Sequence, residues 1–331
     1  MRGRVWLMVS GLTLAVAGVA PLHGQKGAHL NPMIELHVQK KPLFGLYAPA
    51  NRGLGRRGAG TDPAAPAPAP PPQKTPAELV KDALAYDKSD FLFNGSMEGG
   101  VDRGIGPFTE FVNAMMDAAT PAVRWQHPLS VKTPKIAEDP AKAIDNIGRQ
   151  LNLGVSTIVF VGVESAVEVK QGLAAMRFKA DGGTRSDETG IAPKYWGVSE
   201  QAYRVKADVW PLDPAGELTN WTIVESKEGL AHVREIAAVK GISVLFPGAG
   251  TLRQVFTTTD ADGKRTFDAE GWEKAIQQVL SACKEFGVPC GYPATENDIE
   301  TRIQQGFSVF IMNWGDPGFR AVDIGRRVTG R

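Results

Sequence analysis

Side chains that can do acid–base chemistry or bind anions stand directly after several apolar runs of the sequence. They are three carboxylates and two basic groups: Glu98, Glu164, Glu225, Arg124 and His127. A carboxylate can move a proton or bind a divalent metal, an arginine can bind an anionic oxygen, and a histidine titrates near neutral pH. Three of them also have a structural alternative: Arg124 and Glu225 can form a buried ion pair, and His127 can be a hydrogen-bonded structural residue.

A short loop rich in glycine also follows an apolar run. Its residues are Gly248, Ala249, Gly250 and Thr251. Because glycine has no Cβ, backbone N–H groups in such a loop can approach an anion closely. The loop therefore predicts a binding site for a small carboxylate, and the structural alternative is a tight turn.

The elements that must position these groups alternate between strand and helix patterns from Lys41 onward. The eight predicted strands are Leu43–Ala48, Phe91–Met97, Ala122–His127, Thr157–Val163, Thr222–Glu225, Ile242–Phe246, Cys290–Pro293 and Ser308–Asn313. The predicted helices between them include Pro76–Tyr86, Phe108–Ala118, Pro140–Leu153, Ala166–Arg177, Lys227–Val239, Asp268–Phe286 and Glu296–Gln305. Eight such units favour an α/β fold of the (β/α)8 TIM-barrel type over an open doubly wound sheet. In that fold the residues after each strand converge at one mouth.

The composition is that of a globular chain: 331 residues, 43% hydrophobic and 22% charged. It excludes collagen-like, coiled-coil and wholly disordered classes. Lys and Arg (37) balance Asp and Glu (36), and the basic residues are scattered, so we expect no nucleic-acid partner. The two cysteines, Cys283 and Cys290, lack the spacing of a zinc site. We expect two buried thiols, with a disulfide after export as the alternative.

Two segments have compositions that predict no packed part of a barrel: a signal peptide and a disordered insertion. Residues 1–24 have the order of a signal peptide, with a basic start, an apolar run and a short polar end. The run is shorter than a membrane span, so we expect cleavage, export to the periplasm or medium, and no stable membrane insertion afterwards. The Pro/Ala-rich residues 50–75 predict a disordered insertion inside one barrel, which is formed by residues 25–49 and 76–331.

Four passages carry a resemblance to a known family. They are Lys41–Tyr47, Ala122–Trp125, Trp210–Leu218 and Ile236–Gly250. In their order and spacing they resemble the class II metal-dependent aldolases that include 4-hydroxy-2-oxoheptanedioate aldolase and, more distantly, the citrate lyase β subunit. The resemblance implies a TIM barrel that forms or cleaves a carbon–carbon bond between a small 2-oxo acid, such as pyruvate, and an aldehyde through a metal-stabilised enolate.

The resemblance also implies roles for single residues. Glu225 matches the metal-binding Glu after the fifth strand, and Arg124 matches the Arg after the third strand that holds the keto oxygen. The loop from Gly248 to Thr251 matches the backbone amides that hold the substrate carboxylate. These matches imply a lyase site made of a metal carboxylate, an arginine and an amide loop.

Two positions depart from the family pattern. The second metal-binding carboxylate falls at Thr251, and the Asp-x-Glu-His of the second strand keeps only Glu98. One carboxylate beside a neutral hydroxyl is a poor site for a hard dication, so we expect Glu225 to bind Mg, Mn or Co weakly unless Glu98 or Glu164 adds charge. Glu98 or His127 would have to replace the missing proton-transfer group.

The sequence therefore leaves two functions open. The first is an exported carbon–carbon lyase of the aldehyde-lyase type with an altered catalytic set. The second is a degenerate barrel that binds a small organic acid without turnover, which the loss of two catalytic positions supports. The family commonly forms a hexamer, and the short basic segment from Ala321 to Arg331 leaves assembly into a homo-oligomer open.

Overall fold

The computed structural model describes residues 29–51 and 72–331. The predicted signal peptide and most of the predicted insertion lie outside these residues, so both stay predictions. Near the two ends of the predicted insertion, Asn51 and Lys74 exchange two hydrogen bonds of 2.8 Å, from Asn51 Nδ2 to the Lys74 carbonyl and from Lys74 N to Asn51 Oδ1. No helix in the described ranges is both long and apolar enough to span a bilayer.

The described residues form eleven strands and fourteen α-helices. The strands are β1 (Leu43–Tyr47), β2 (Leu92–Asn94), β3 (Leu129–Thr133), β4 (Thr157–Phe160), β5 (Val209–Trp210), β6 (Leu218–Val224), β7 (Val244–Pro247), β8 (Thr257–Thr259), β9 (Arg265–Phe267), β10 (Gly291–Pro293) and β11 (Val309–Met312). The helices are α1 (Pro32–Val38), α2 (Pro76–Ala85), α3 (Val101–Ala118), α4 (Pro121–Arg124), α5 (Pro140–Leu151), α6 (Ala166–Met176), α7 (Ala192–Trp196), α8 (Glu200–Lys206), α9 (Lys227–Ala231), α10 (Val233–Ala237), α11 (Ala249–Val255), α12 (Ala269–Phe286), α13 (Ile299–Gln305) and α14 (Asp316–Thr329).

Eight of the strands form one curled parallel sheet, in the order β10, β11, β1, β2, β3, β4, β6, β7. The short strand β5 pairs with the start of β6, and β8 pairs with β9 as a separate hairpin. Between β7 and β10 the ladder is reduced to one bridge, Leu245 with Cys290, and a bond of 3.0 Å from Leu245 N to the Pro289 carbonyl. The chain thus has the expected α/β architecture with a barrel-like parallel sheet, whose ladder is not continuous all the way round.

The inside of the sheet is filled by large side chains. Strand residues alternate between the two faces, and the inward set includes Phe91, Phe93, Trp221 and Phe246. The Trp221 ring lies 4.8 Å from the Phe91 ring and 5.5 Å from the Phe246 ring, measured between centroids. Met33 of α1 belongs to the same cluster, and α1 lies at the amino ends of the strands. The sheet is therefore packed below its carboxyl ends, and those ends remain as the side where a ligand enters.

The long helix α12 begins and ends where the sequence predicts. Asp268 Oδ1 accepts the Gly271 N–H at 2.8 Å at its start, and Gly287 at its end has a left-handed φ of 67°, a conformation that glycine adopts without strain. The other predicted helices are also present. The predicted Phe108–Ala118 begins earlier, at Val101, and the predicted Lys227–Val239 is divided at His232.

The predicted third strand, Ala122–His127, is wrong. Pro121 begins the short helix α4 instead, because proline at the first helical position loses no hydrogen bond. The actual third strand is β3, which starts after Pro128. The other seven predicted strands overlap observed ones. As a result, Arg124 and His127 precede β3 and lie at its amino end, away from the mouth.

The expectation of two free thiols is also wrong. Cys283 of α12 and Cys290 before β10 form a disulfide, with their Cα atoms 5.6 Å apart. The left-handed Gly287 reverses the chain between them. The bond ties the end of α12 to the residue that bridges to β7.

Reduction of this disulfide should lower the free energy of unfolding by about 2 kcal/mol, because it releases a short closed loop in the unfolded chain. Urea unfolding with and without dithiothreitol measures the difference. The double variant Cys283→Ser/Cys290→Ser should unfold at one midpoint in both buffers. A wild-type midpoint that does not respond to the reductant would contradict the prediction.

Candidate active site at the carboxyl ends of the strands

A pocket of about 450 Å³ opens at the carboxyl ends of the strands. Its floor contains the inward apolar side chains Phe93, Ile223, Phe246 and Ile311. Its polar residues are Tyr47, Lys132, Glu225, Thr251, Arg253, Tyr292, Thr295 and Asn313. Burial raises the pKa of Tyr292 to about 12. A second cavity, of about 510 Å³, is lined by residues from Ala237 to Ser243, which precede β7 at the opposite end of the sheet.

Glu225 is the one carboxylate that lines the pocket among the described residues. It follows β6, and its Oε1 accepts the Gly162 N–H at 2.9 Å. Gly248 lies directly against it, since a Cβ on Gly248 would stand 2.6 Å from Glu225 Oε2. Within the described ranges Glu225 forms no ion pair, so the proposed structural pair with Arg124 is absent. Glu225 thus presents to the pocket a carboxylate that has no ion-pair partner among the described residues.

The loop from Gly248 to Thr251 forms the start of α11 and lines the same pocket. Gly248 N donates to the Val224 carbonyl and Leu252 N donates to the Gly248 carbonyl, each at 2.8 Å. The N–H groups between them belong to the first helical turn, where no intrahelical acceptor exists. Trp272 Nε1 donates to the Ala249 carbonyl at 2.9 Å and fixes the turn. The arrangement can offer backbone donors to a small anion.

Sequence reasoning missed Lys132, the basic residue of β3 that lines the pocket. Its Nζ lies 2.9 Å from both carboxylate oxygens of Glu98. Glu98 itself does not line the pocket, so its observed role is to hold Lys132. The alternating sequence Leu-Ser-Val-Lys-Thr at 129–133 contains the signal, since it is typical of a strand and places Lys132 near its carboxyl end.

A second ion pair lies beside the pocket. Lys135 Nζ is 2.7 Å from Glu164 Oε2. The hydrogen bond from Lys135 holds the pKa of Glu164 below its usual value, and the same bond raises the pKa of Lys135. Glu164 is therefore already engaged and is not a free carboxylate for another ligand.

Arg124 and His127 do not reach the mouth, which corrects the placement that the sequence predicts. Arg124 is 5% exposed, and its guanidinium donates to three backbone carbonyls, those of Tyr195 (2.8 Å), Lys194 (3.0 Å) and Ala119. His127 is also buried, and burial lowers its pKa. Neither residue lines the pocket. The geometry gives Arg124 a structural role and gives His127 no contact with a ligand in the pocket.

The donors of the pocket do not fit a divalent metal. Across residues 29–51 and 72–331, no group of three His, Cys, Asp or Glu side chains is placed to hold an ion. Beside Glu225 the pocket offers only neutral oxygens, such as those of Thr251 and Asn313. The two acids that could add charge, Glu98 and Glu164, are paired with lysines. Hard dications depend on several oxygen ligands with enough negative charge, and this donor set provides one carboxylate.

Known proteins are similar to this chain in sequence and in fold. Residues 130–315 match the sequence pattern of the HpcH/HpaI aldolase/citrate lyase family. A pyruvate aldolase from Rhizobium etli is 26% identical over 151 residues, which cover 44% of this chain and about half (52%) of that protein. A solved HpcH/HpaI aldolase/citrate lyase family protein from Burkholderia cenocepacia has a TM-score of 0.62 at 19% identity, over 91% of this chain and 98% of that one. An HpcH/HpaI aldolase from Desulfitobacterium hafniense has a TM-score of 0.59 at 14% identity, over 90% and 95%. At these identities the structures show a shared fold.

Proposed function

Because this chain belongs to the HpcH/HpaI aldolase/citrate lyase family, as its sequence resemblance predicted, we propose that it is a carbon–carbon lyase acting on a small 2-oxo acid through an enolate. The observation that carries the proposal is the shared pocket of Glu225, Lys132 and the loop from Gly248 to Thr251. These groups supply a base, a cation and backbone donors at the carboxyl ends of parallel strands, where barrel enzymes do their chemistry.

The pocket suits a small anionic substrate. Its volume of about 450 Å³ exceeds that of a three-carbon acid and leaves room for an aldehyde partner. In our proposal the substrate carboxylate accepts hydrogen bonds from the first-turn N–H groups of α11. Lys132 and Arg253 add positive charge at the same opening. The reactive carbon then lies beside Glu225.

Glu225 is the proposed general base. In the cleavage direction it takes the proton of the substrate hydroxyl, the carbon–carbon bond breaks, and an aldehyde and an enolate form. The enolate then takes a proton on carbon from Glu225 and leaves as the 2-oxo acid. A carboxylate with no basic partner within the described ranges is suited to this exchange, since no ion pair has to be broken first.

The test is the exchange of the methyl protons of pyruvate for deuterium, followed by NMR, because enolisation is the partial reaction that such lyases share. We expect the protein to accelerate the exchange above the rate in buffer alone. Boiled protein serves as the control. An absence of exchange, combined with binding of oxalate measured by calorimetry, would instead support a barrel that binds organic acids without turnover.

We also propose that the mature chain is exported. The order of residues 1–24 supports this, and so does the disulfide between Cys283 and Cys290, because such bonds persist in oxidising compartments. The mass of the chain recovered from a periplasmic or culture fraction tests the cleavage, and a mass that retains residues 1–24 would contradict it.

A further inference from the structure

The pocket holds a fixed positive charge, the ammonium group of Lys132. In β3 the side chains of Leu129 and Val131 pack in the outer core between sheet and helices. Lys132 follows Val131 and therefore faces inward. Its alkyl chain passes Gly95, where a Cβ would lie 3.7 Å from Lys132 Cδ. Only 15% of the side chain is exposed, so the ammonium group is partly shielded from water.

Glu98 fixes the direction of this ammonium group. Both Glu98 oxygens lie 2.9 Å from Lys132 Nζ. An ammonium group has three N–H donors, so two of them serve Glu98 and one remains for a ligand. Glu98 is the more exposed partner, with 41% of its side chain accessible, and Lys132 is the partner that lines the pocket.

The enolate of a 2-oxo acid needs positive charge beside its oxygen. A fixed donor aimed at a developing oxyanion in a partly dry site lowers the barrier to its formation, and lysine can serve as such a donor. Glu225, the one carboxylate that lines this pocket among the described residues, does not make a site for a dication with its neutral neighbours, whereas the lysine is already in place. The cation that the chemistry requires is therefore present in the protein itself.

We propose that Lys132, oriented by the positioning residue Glu98, stabilises the enolate oxygen of the bound 2-oxo acid, and that enolisation by this protein requires no divalent metal. The inference rests on the function proposed above. Glu225 takes a proton from C3, the C–H electron pair forms the C2–C3 double bond, and the carbonyl pair moves to oxygen. That oxygen accepts an N–H of Lys132, and no covalent bond to the lysine forms.

The experiment measures pyruvate methyl exchange by metal-stripped protein in excess EDTA, and again with added Mn²⁺, Mg²⁺ or Co²⁺. We expect similar rates in all buffers.

Lys132→Met should slow the exchange by about 100-fold or more, and Lys132→Arg should restore part of the rate. Lys135→Met is the matched control, because Lys135 has the same kind of ion pair but does not line the pocket. It should exchange within about threefold of wild type. Glu98→Gln should give an intermediate loss that Glu98→Asp partly rescues.

Two binding readouts accompany the rates. Oxalate, an analogue of the enolate, should bind in EDTA to wild-type protein and much more weakly to Lys132→Met, by calorimetry. Borohydride with pyruvate should add no mass to the protein, since no imine forms. Far-UV circular dichroism and the melting temperature show whether Lys132→Met is folded, and Lys132→Arg provides the comparison if it is not.

Each outcome decides the inference. Exchange that stops in EDTA and returns with a metal would overturn it, while the proposed lyase function would stand. Unchanged exchange in Lys132→Met, or a borohydride adduct on Lys132, would also overturn it. If wild-type protein exchanges in no buffer, the proposed function fails and the inference fails with it. Metal-independent exchange that is lost in Lys132→Met supports both.

Discussion

Replacement of Glu225 by glutamine should slow the exchange of the pyruvate methyl protons by about 10²–10⁴-fold, because an amide cannot take the proton. Glutamine has nearly the same shape, and its Oε1 can still accept the Gly162 N–H that Glu225 accepts at 2.9 Å. The variant should therefore fold normally and keep its affinity for oxalate within about tenfold. The rate is measured by NMR and the affinity by calorimetry.

Glu164→Gln is the matched control for this variant. Glu164 is a carboxylate beside the same pocket, but it is bonded to Lys135 and does not line the cavity. Its loss should change the exchange rate by less than about threefold. If Glu225→Gln kept a tenth or more of the wild-type rate, Glu225 would not be the base and the proton would have to pass through another group.

Local sequence patterns were sufficient to place Glu225 and the loop from Gly248 to Thr251 at the carboxyl ends of β6 and β7. β6 ends in the apolar pair Ile223–Val224 and β7 is apolar throughout, and each is followed at once by the functional group, Glu225 in one case and the loop from Gly248 to Thr251 in the other. Both groups line the pocket. At these two strands the apolar residues end where the strand ends. The sequence pattern therefore predicts which residues follow the strand.

The same reasoning failed at β3 because two neighbouring segments look alike. Ala122–His127 and Leu129–Thr133 both mix apolar and polar residues in short runs. The two segments differ in how their preceding prolines act. Pro121 starts the helix α4, whereas Pro128 ends the turn before strand β3. Which segment enters the sheet depends on pairing with β2 and β4, and a single sequence does not show that pairing.

Contacts between residues that are far apart in the sequence explain why the expectations for Glu98, Glu164 and the two cysteines differ from the structure. Glu98 and Lys132 are 34 positions apart, and Lys135 and Glu164 are 29 apart. A sequence shows these acids as free catalytic candidates, whereas in the fold Glu98 is bonded to Lys132 of β3 and Glu164 to Lys135, which follows β3. The fold also brings Cys283 and Cys290 together by the turn at Gly287. In each case a partner that is distant in the sequence changes the chemistry expected of the residue.

Arg124 has a different role in the structure from the one that the sequence resemblance implies. The resemblance assigns it to the keto oxygen of the substrate, but its guanidinium donates to the carbonyls of Tyr195, Lys194 and Ala119 and stacks over the Tyr195 ring at 5.1 Å. These bonds join α4 to α7 and to the end of α3. Burial lowers the pKa of Arg124, although arginine stays charged at any working pH.

Arg124→Met should therefore lower the free energy of unfolding by about 3 kcal/mol or more, because buried carbonyls lose charged donors worth about 1.5–3 kcal/mol each. Arg124→Lys should lose less, since one ammonium can reach some of the same carbonyls. Urea unfolding measures both. At a temperature where each variant is folded, pyruvate exchange and oxalate affinity should equal those of wild type, since Arg124 does not line the pocket. A variant that unfolds like wild type but has lost exchange would contradict the structural role and would indicate that Arg124 contacts the substrate. Arg124 would then have to enter the pocket when the substrate binds, since it does not line the pocket here.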